Sequence, residues 1–363
     1  MTEEVDATHH LAYRVILPLL VCLGIVGNGL CIITLTRPAL RAARVNGYFL
    51  TLAVSDLLVC VFHIPVITSI TGCTFSSYTE AFYFTHFGWT LVGISQALGT
   101  YTIVWLSFDR FVAIWFYDLY PRIQQKPMMR SRLLVTALLC VLFHLVLIID
   151  GRVYCSVQED ALCTTGKWVS VTGYENHFNM AWHKVYLAVF GMFIRWIPCC
   201  LLLLFNLGLV IGVVRGRITF PGTQEFGKGG ERTLIATTIA ITATYILFTF
   251  PITVFIMGYN THLEDRCSGG YAREILRAVG NVFQLLEHIV HILFFIGLYH
   301  GFRRELKILL FLEKRGEAQP GAAHKDRHIN LSQYGGLEPP GLRTQSSVTP
   351  DRHSIRPTIV EVI

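Results

Sequence analysis

Long apolar blocks alternate with short polar segments along most of the chain. Seven blocks are each long enough to cross a hydrocarbon core as a helix, which takes about 20 residues. They cover residues 11–36, 47–70, 83–116, 133–149, 185–214, 234–257 and 275–298. A backbone that crosses lipid must satisfy its polar groups within the segment, and the alternation typical of a barrel strand is absent. The pattern therefore predicts an all-α fold, a bundle of seven transmembrane helices.

Lysine and arginine are concentrated in the segments that follow the first, third, fifth and seventh blocks. Arg37, Arg130 and Arg215 are examples, whereas Glu80 and Asp265 lie in the remaining segments. Because basic segments stay in the cytoplasm, the pattern predicts an extracellular N-terminus and a cytoplasmic C-terminus. The first block is too long for the apolar part of a cleaved signal peptide, and we interpret it as a signal anchor.

The composition also favours a membrane protein. Of the 363 residues, 53% are hydrophobic and 15% are charged, whereas a soluble domain carries about 25% charged residues. The net charge of +6 comes from basic residues at the ends of the blocks, which never form a patch interleaved with aromatic residues. The charge therefore reflects topology, and we expect no nucleic-acid partner.

The chain divides into four regions. Residues 1–10 form a short extracellular N-terminus, and residues 11–300 form the membrane domain. Residues 301–312 (GFRRELKILLFL) carry apolar residues at helical spacing among basic ones, which predicts an amphipathic helix on the inner leaflet. Residues 313–363 are rich in Pro, Gly, Ser and charge, and we expect a disordered cytoplasmic tail.

Ionisable residues inside a membrane are rare and costly, so each is a candidate for function. Those in the apolar blocks include Asp56, Asp109, Arg110, Arg195, Glu287, His288 and His291. The sequence has no paired intramembrane aspartate motif, no Gly-x-Ser-x-Gly and no His-Glu-x-x-His, which argues against an intramembrane enzyme. No internal repeat of fixed period is visible, which argues against many kinds of transporter.

Several motifs occur together along the blocks. They are Asn28 in GNGL, Asp56 in LAVSDLL, the pair Asp109 and Arg110 in SFDRFVAIW, Pro198 and Pro251 in the fifth and sixth blocks, and FRREL after the seventh. Over residues 11–312 the chain resembles a rhodopsin-like (class A) G-protein-coupled receptor. The resemblance implies a multi-pass protein of the plasma membrane that binds an extracellular ligand, activates heterotrimeric G proteins and is not an enzyme.

The resemblance implies a switch at the inner end of the third block. Asp109 would neutralise Arg110 in the resting state, and Arg110 would also reach Glu231 in the sixth helix. Movement of that helix about a kink at Pro251, with a second kink at Pro198 in the fifth helix, would open a crevice for a G protein. The alternatives are a solvated charge pair at a helix end and, for Glu231, an ordinary loop charge.

Asp56 and Asn28 resemble the sodium-binding centre of the family, but their surroundings differ. The usual Asn-Pro-x-x-Tyr motif is replaced by HILFF, which begins at His291. Glu287 and His291 lie four residues apart on one helix face, which we expect to point toward Asp56, with His288 beside them. We hypothesise that this cluster holds a proton, or an Asp–His pair, in place of sodium, so that activity depends on pH and not on sodium. The alternative is that the histidines simply bond neighbouring helices; no cofactor and no metal site are expected.

Three other positions depart from the family pattern. Gly99 stands where a serine ligand for sodium is usual. Thr249 stands at the place of the toggle tryptophan of the sixth span, and Thr85 at the place of the outer cysteine of the third span. We therefore expect an activation pathway that differs from the usual one of the family.

Four cysteines lie on the predicted outer side, where disulfides persist. We expect Cys73 to pair with Cys155 or Cys163, and Cys267 is another candidate partner, so the connectivity stays open. Cys155 and Cys163 lie in the outer segment 150–184, which we expect to form a small hairpin lid.

Two outer-half residues exclude known ligand chemistries of the family. Val92 stands where amine receptors carry an aspartate, and Leu285 stands where opsins carry the retinal lysine. The remaining candidates for ligand contact are aromatic or neutral polar: His63, Trp89, Gln96, Tyr101, Trp182, Tyr186, Tyr259 and Gln284. The residue pattern along the whole chain is most similar to that of invertebrate neuropeptide receptors of the FMRFamide type. This resemblance implies a peptide ligand.

The C-terminal tail offers two further partner motifs. Ser346, Ser347, Thr349 and Ser354 are candidate phosphorylation sites for arrestin recruitment, and Ile363 is a candidate for the pocket of a PDZ domain. Alternative functions for the whole chain are an orphan chemosensory receptor for a small molecule and a proton-linked seven-helix transporter. Measuring GDP/GTP exchange on G proteins, together with proton flux, distinguishes the receptor from the transporter.

Overall fold

The computed structural model describes residues 7–41, 43–70, 75–116, 118–123, 125–155, 167–172, 181–216, 227–259 and 271–312. These residues belong to a compact unit, Met1–Lys314. The predicted tail at 313–363, with its arrestin and PDZ motifs, lies outside the described residues, and so do Cys73, Cys163 and Cys267. The roles assigned to them stay predictions.

Helices make up nearly all of the described chain. The long ones run over Leu17–Leu35, Asn46–Ile70, Trp89–Trp115, Lys126–Asp150, Ile197–Val214, Gly227–Tyr259 and Tyr271–Leu298. Shorter ones run over Pro38–Arg41, Tyr78–Tyr83, Tyr120–Ile123, Ala181–Gly191 and His300–Leu309. Segments of π-helix run over His10–Ile16, Phe84–Gly88 and Met192–Trp196.

Within the described residues, seven helices are long and apolar enough to span a membrane, which confirms the predicted bundle. They cover Ala7–Leu35, Asn46–Ser69, Tyr78–Trp115, Lys126–Ile149, Ala188–Val214, Arg232–Thr253 and Ala272–Leu298, and we call them the first to seventh spans. The fourth span begins seven residues before the predicted start at 133. Hydropathy marks only the part of a helix that lipid covers, whereas the helix continues into its basic first turns.

A two-stranded antiparallel hairpin follows the fourth span and confirms the expected hairpin. Strand β1 (Gly151–Cys155) pairs with strand β2 (Trp168–Thr172), with Gly151 opposite Thr172. Trp168 also bridges to Phe75, and it packs with buried side chains at the ends of the second and third spans. We call this end of the bundle the hairpin end, and the opposite end the Arg110 end.

The predicted amphipathic helix is present as His300–Leu309 and packs against the Arg110 end. Phe302 is buried against Phe295, with ring centroids 5.5 Å apart. An ion pair of 2.9 Å joins Arg37 to Glu305 of this helix. Burial raises the pKa of the Tyr299 hydroxyl, which stays protonated and donates to Oδ1 of Asn46 at 3.1 Å. These contacts hold the helix on the first, second and seventh spans.

Candidate functional site

Two carboxylates and two histidines form a ring of contacts between the second and seventh spans. Nδ1 of His288 lies 2.8 Å from Oδ1 of Asp56, and Nδ1 of His291 lies 2.7 Å from Oδ2. On the other side of the imidazoles, Oε2 of Glu287 lies 3.2 Å from Nε2 of His288, and Oε1 lies 3.8 Å from Nε2 of His291. All four side chains are almost fully buried. We call these four residues the carboxylate–histidine ring.

Helix geometry explains how three ring residues come from one span. Residues three or four apart share a helix face, so His291 lies on the same side as both Glu287 and His288. Asp56 reaches them from the middle of the second span. Nδ2 of Asn28, in the first span, donates to the backbone oxygen of His288 at 3.0 Å. The structure thus brings together all five residues of the predicted polar centre.

A close approach of the first and second spans supports this arrangement. A Cβ atom added to Gly24 would lie 2.4 Å from Sγ of Cys60. Cys60 is fully buried and lies one helical turn from Asp56. Only glycine therefore allows the first span to pack near enough for Asn28 to reach the seventh span.

Gly99 of the third span is tightly packed against the second span, at the residue that precedes Asp56 in the sequence of that span. A Cβ atom added there would lie 2.8 Å from Oγ of Ser55, the neighbour of Asp56. Ser55 is fully buried, and its hydroxyl donates to the backbone oxygen of Leu52 at 2.9 Å. The serine that the family usually has at this position would not fit without a shift of the Ser55 side chain.

We expect Gly99→Ser to lower the stability of the folded protein by about 1–3 kcal/mol, the usual cost of overpacking. The melting temperature of the detergent-solubilised protein measures this loss. Adding Ser55→Ala should restore most of it, because the clashing hydroxyl is removed. Gly29→Ser is the matched control, since nothing lies within 4 Å of a Cβ atom there. An unchanged melting temperature for Gly99→Ser would show that the contact is not limiting.

Further charged and titratable groups surround the ring. Arg195, in the π-helical segment of the fifth span, interacts electrostatically with Glu287 and with Tyr245 of the sixth span. No direct ion pair within 4.0 Å joins Arg195 to Glu287. His63 of the second span interacts electrostatically with His288. The ring is therefore part of a larger polar centre that extends to the fifth and sixth spans.

At the Arg110 end, Asp109 forms an ion pair with the fourth span. Nη1 of Arg132 lies 2.9 Å from Oδ1 of Asp109, and the guanidinium also lies 5.2 Å from the ring centroid of Trp105. The prediction that Asp109 directly neutralises Arg110 is therefore corrected, because its ion-pair partner among the described residues is Arg132. Consecutive residues of a helix point about 100° apart, so Asp109 and Arg110 face different neighbours.

Arg110 instead contacts the short helix Tyr120–Ile123. Its Nη2 atom donates to the hydroxyl oxygen of Tyr120 at 2.8 Å, and the guanidinium lies 5.6 Å from the centroid of the same ring. Asp109 is 1% exposed and Arg110 is 5% exposed, so the alternative of a solvated charge pair is wrong. Sequence reasoning missed both Tyr120 and Arg132 as partners of this pair.

The remaining switch residues lie in the fifth and sixth spans. Glu231 is part of the helix Gly227–Tyr259, but its side chain lies outside the described residues, so its contact with Arg110 stays a prediction. Pro251 lies inside the same helix. Pro198 lies two residues after the end of the π-helical segment Met192–Trp196. A π-helical segment is a local irregularity that is frequent at functional sites.

Comparison with known proteins identifies the family. The family described as "7 transmembrane receptor (rhodopsin family)" matches residues 27–291, which include Asn28, the ring and the Arg110 contacts. The chain belongs to the rhodopsin family of receptors. A protein of Caenorhabditis elegans, described as a probable G-protein coupled receptor, is 23% identical over 330 residues, which cover 88% of this chain and 72% of that protein.

Membership of the family establishes the general function. The protein is a multi-pass membrane receptor that responds to an extracellular ligand and signals through G proteins, and its family consists of receptors and not of enzymes. Asp56, Arg110 and Pro251 lie within the matched region.

Four of the predicted ligand contacts in the receptor lie in pairs. The rings of His63 and Trp89 are nearly perpendicular, with centroids 6.0 Å apart. Nε2 of Gln284 donates to Oε1 of Gln96 at 2.7 Å and so joins the seventh and third spans. Nε2 of Gln96 and Nε2 of His63 are buried without a hydrogen-bond partner among the described residues.

Two of the predicted tyrosine contacts join helices, and their role in ligand binding stays a prediction. The hydroxyl of Tyr101 donates to the backbone oxygen of Phe193 at 2.6 Å, and that of Tyr186 donates to the backbone oxygen of Phe143 at 2.7 Å. Both hydroxyls therefore hold the fifth span against its neighbours. The side chains of Trp182 and Tyr259 lie outside the described residues.

The cysteine predictions are tested in part. Cys155 ends strand β1 and is disulfide-bonded, and its partner lies outside the described residues, so the connectivity stays a prediction. Thr85, at the place of the usual third-span cysteine, packs against the start of the hairpin. A Cβ atom added to Gly151 would lie 2.6 Å from Cγ2 of Thr85. Close packing therefore holds the hairpin at this point.

Proposed function

We propose that the receptor lies in the plasma membrane with its hairpin end outside the cell and binds a neuropeptide there. The contact that carries this proposal is the hydrogen bond of 2.7 Å between the amides of Gln284 and Gln96. Amide side chains present the same donor and acceptor groups as a peptide backbone. They suit a ligand made of amides better than one that carries a strong charge.

The unsatisfied nitrogens beside this pair support a ligand with hydrogen-bonding groups. Nε2 of Gln96 and Nε2 of His63 are both buried and lack a partner. A buried donor without a partner costs about 1–3 kcal/mol, and a ligand carbonyl that accepts from Gln96 would recover it. Val92 is buried against the hairpin cluster and offers no charge for an ammonium group. Leu285 is fully buried and offers no amine for a Schiff base.

The hairpin supports a ligand that enters from its end of the bundle. Trp168 of β2 packs with Phe75, Phe84 and Val92 and so covers the ends of the second and third spans. A covering segment tied to rigid helices is a common position for binding residues. The entry for the ligand would then lie toward the fifth to seventh spans.

The function is tested with membranes that contain the full chain and a panel of amidated peptides. GDP/GTP exchange on added heterotrimeric G proteins is the readout, and at least one peptide should accelerate it. Proton flux without exchange would favour a transporter and contradict the proposal. Activation by small molecules alone, with no response to any peptide, would favour a chemosensory receptor.

For the peptide that activates the receptor, we expect Gln284→Leu to raise the half-maximal concentration by about tenfold. Removing one partner of a buried hydrogen bond leaves the other unsatisfied, which costs about 1–3 kcal/mol. The dose–response curve of exchange measures the shift. Val279→Ala, at an exposed position five residues earlier in the same span, is the control and should leave the curve in place. Equal potency for Gln284→Leu and the wild type would remove this pair from the binding site.

A further inference from the structure

Hydrogen-bond geometry determines where protons lie in the carboxylate–histidine ring. Each oxygen of Asp56 faces one Nδ1 atom at 2.7 or 2.8 Å. An ionised carboxylate only accepts, so with Asp56 ionised both histidines carry a hydrogen on Nδ1 and donate to it. A neutral histidine of this kind presents a lone pair at Nε2. Nε2 of His288 lies 3.2 Å from a carboxylate oxygen of Glu287. The contact has ion-pair distance but not hydrogen-bond geometry. Two unprotonated acceptors at this distance repel each other, and one further proton on the pair turns the contact into an attractive one.

The charges of the buried groups also indicate one additional proton on the pair of Glu287 and His288. Ionised Asp56 and Glu287 carry two negative charges, and Arg195 supplies one positive charge nearby. One additional proton on the pair of Glu287 and His288 makes the set neutral, which is the state that a low-dielectric interior favours. The other titratable groups around the ring are His63, Tyr245, Cys31 and Cys60, whose ordinary forms at neutral pH carry no charge.

The ring leaves little opportunity for a metal cation. Both oxygens of Asp56 are already hydrogen-bonded to histidine. Ser55 fills the space where a side chain at Gly99 would otherwise reach the site. A sodium ion at Asp56 would have to replace both of these hydrogen bonds. It would also find no hydroxyl ligand at position 99, because that residue is glycine.

We propose that the ring is a proton-binding site, in which one proton shared between Glu287 and His288 occupies the role of a cation between the second and seventh spans. The hydrogen bond of His288 to Asp56 and its ion-pair contact with Glu287 then link the two carboxylates through one imidazole. Nε2 of His291 lies farther from Glu287, 3.8 Å from Oε1, so we place the shared proton on the side of His288. Loss of the proton would leave the lone pair on Nε2 of His288 facing a lone pair of the Glu287 carboxylate. It would also leave one negative charge in the ring without a compensating positive charge.

The additional proton in the ring determines how the stability of the folded protein depends on pH. The folded protein holds a proton that separated glutamate and histidine side chains, with ordinary pKa values of about 4.3 and 6.5, do not hold at about pH 8. Stability is therefore lost as the pH rises above neutral. We expect the melting temperature of the full-length receptor in detergent to fall by about 3 °C or more between about pH 6.5 and pH 8.5. It should be the same in sodium chloride and in choline chloride, since neither cation binds.

Glu287→Gln is the decisive variant. Its amide group donates to Nε2 of His288 without a titratable proton, so the melting temperature should stay near the wild-type value at about pH 6.5 and lose its fall toward higher pH. Glu274→Gln is the matched control. Glu274 is a buried carboxylate on the same span that lies 3.0 Å from His9, outside the ring. This variant removes any contribution of the pair with His9 and should keep the fall that Glu287→Gln abolishes.

Three results would overturn the proposal, and none depends on a ligand or a G protein. The first is a melting temperature of the wild type that sodium raises relative to choline, which would show a bound sodium ion. The second is a wild-type melting temperature that does not change with pH. The third is a pH dependence that Glu287→Gln leaves intact. The first two need no variant, so they stand even if Glu287→Gln does not fold.

Discussion

Replacing Arg110 with alanine is expected to abolish ligand-stimulated GDP/GTP exchange while the receptor stays folded. The side chain of Arg110 is buried and donates a hydrogen bond of 2.8 Å to the hydroxyl of Tyr120. On activation the guanidinium would leave this contact to meet the G protein. Loss of a buried, charged hydrogen-bonding group at an interface costs about 2–5 kcal/mol, which corresponds to a decrease of about 30-fold or more.

Two variants make the result for Arg110 specific. Arg130→Ala removes an exposed basic residue from the same end of the bundle and should leave stimulated exchange unchanged. Tyr120→Phe removes only the hydroxyl that accepts from Arg110, so it should raise exchange without ligand by up to about tenfold, because the resting contact is weakened. Stimulated exchange at the wild-type rate in Arg110→Ala would contradict the switch role.

The positions of the spans could be predicted because hydrophobicity and helical period are local properties. Twenty apolar residues define a span wherever they lie, and the bundle followed from seven such blocks. The helix ends differ from the prediction, as at Lys126, because a helix continues beyond the lipid-covered part. The hairpin could be expected from its residues, but its register depends on packing of Trp168 against the spans.

The composition of the ring could also be predicted, but not its connections. Glu287 and His291 share a face by their spacing, and Asp56 was the intramembrane carboxylate of the second span. The pairing of each Asp56 oxygen with a different histidine depends on how the second and seventh spans are rotated. That rotation is set by contacts such as Gly99 against Ser55, between residues far apart in the sequence.

The Arg110 end shows the limit of sequence reasoning most clearly. Asp109 and Arg110 are adjacent in the sequence, which suggested that they pair with each other. In the folded receptor the partner of Asp109 is Arg132, which lies 23 residues away on another span. No local sequence pattern distinguishes Arg132 from the neighbouring Arg130. The two residues differ only in which of them lies on the face of the fourth span that packs against the third span.

The pairing of Asp109 with Arg132 predicts a large loss of stability for Arg132→Met. The side chain of Asp109 is 1% exposed, so removing Arg132 would leave a buried carboxylate without its cation. Breaking a buried ion pair in this way costs about 3–5 kcal/mol. We expect a matching fall in the melting temperature of the detergent-solubilised receptor. Arg130→Met, at an exposed position one half-turn earlier, should have little effect.

A double-mutant cycle separates the ion pair from the rest of the contacts of Arg132. Nη2 of Arg132 also donates to the backbone oxygen of Ile123 at 3.0 Å, and that hydrogen bond is lost in either background. Asp109→Asn removes the charge but keeps the shape, so the double variant with Arg132→Met should be more stable than Arg132→Met alone by about 2 kcal/mol. If Asp109→Asn brings no recovery, Asp109 does not depend on Arg132 for its charge. The cost of Arg132→Met would then come from packing against Trp105 and from the hydrogen bond to Ile123.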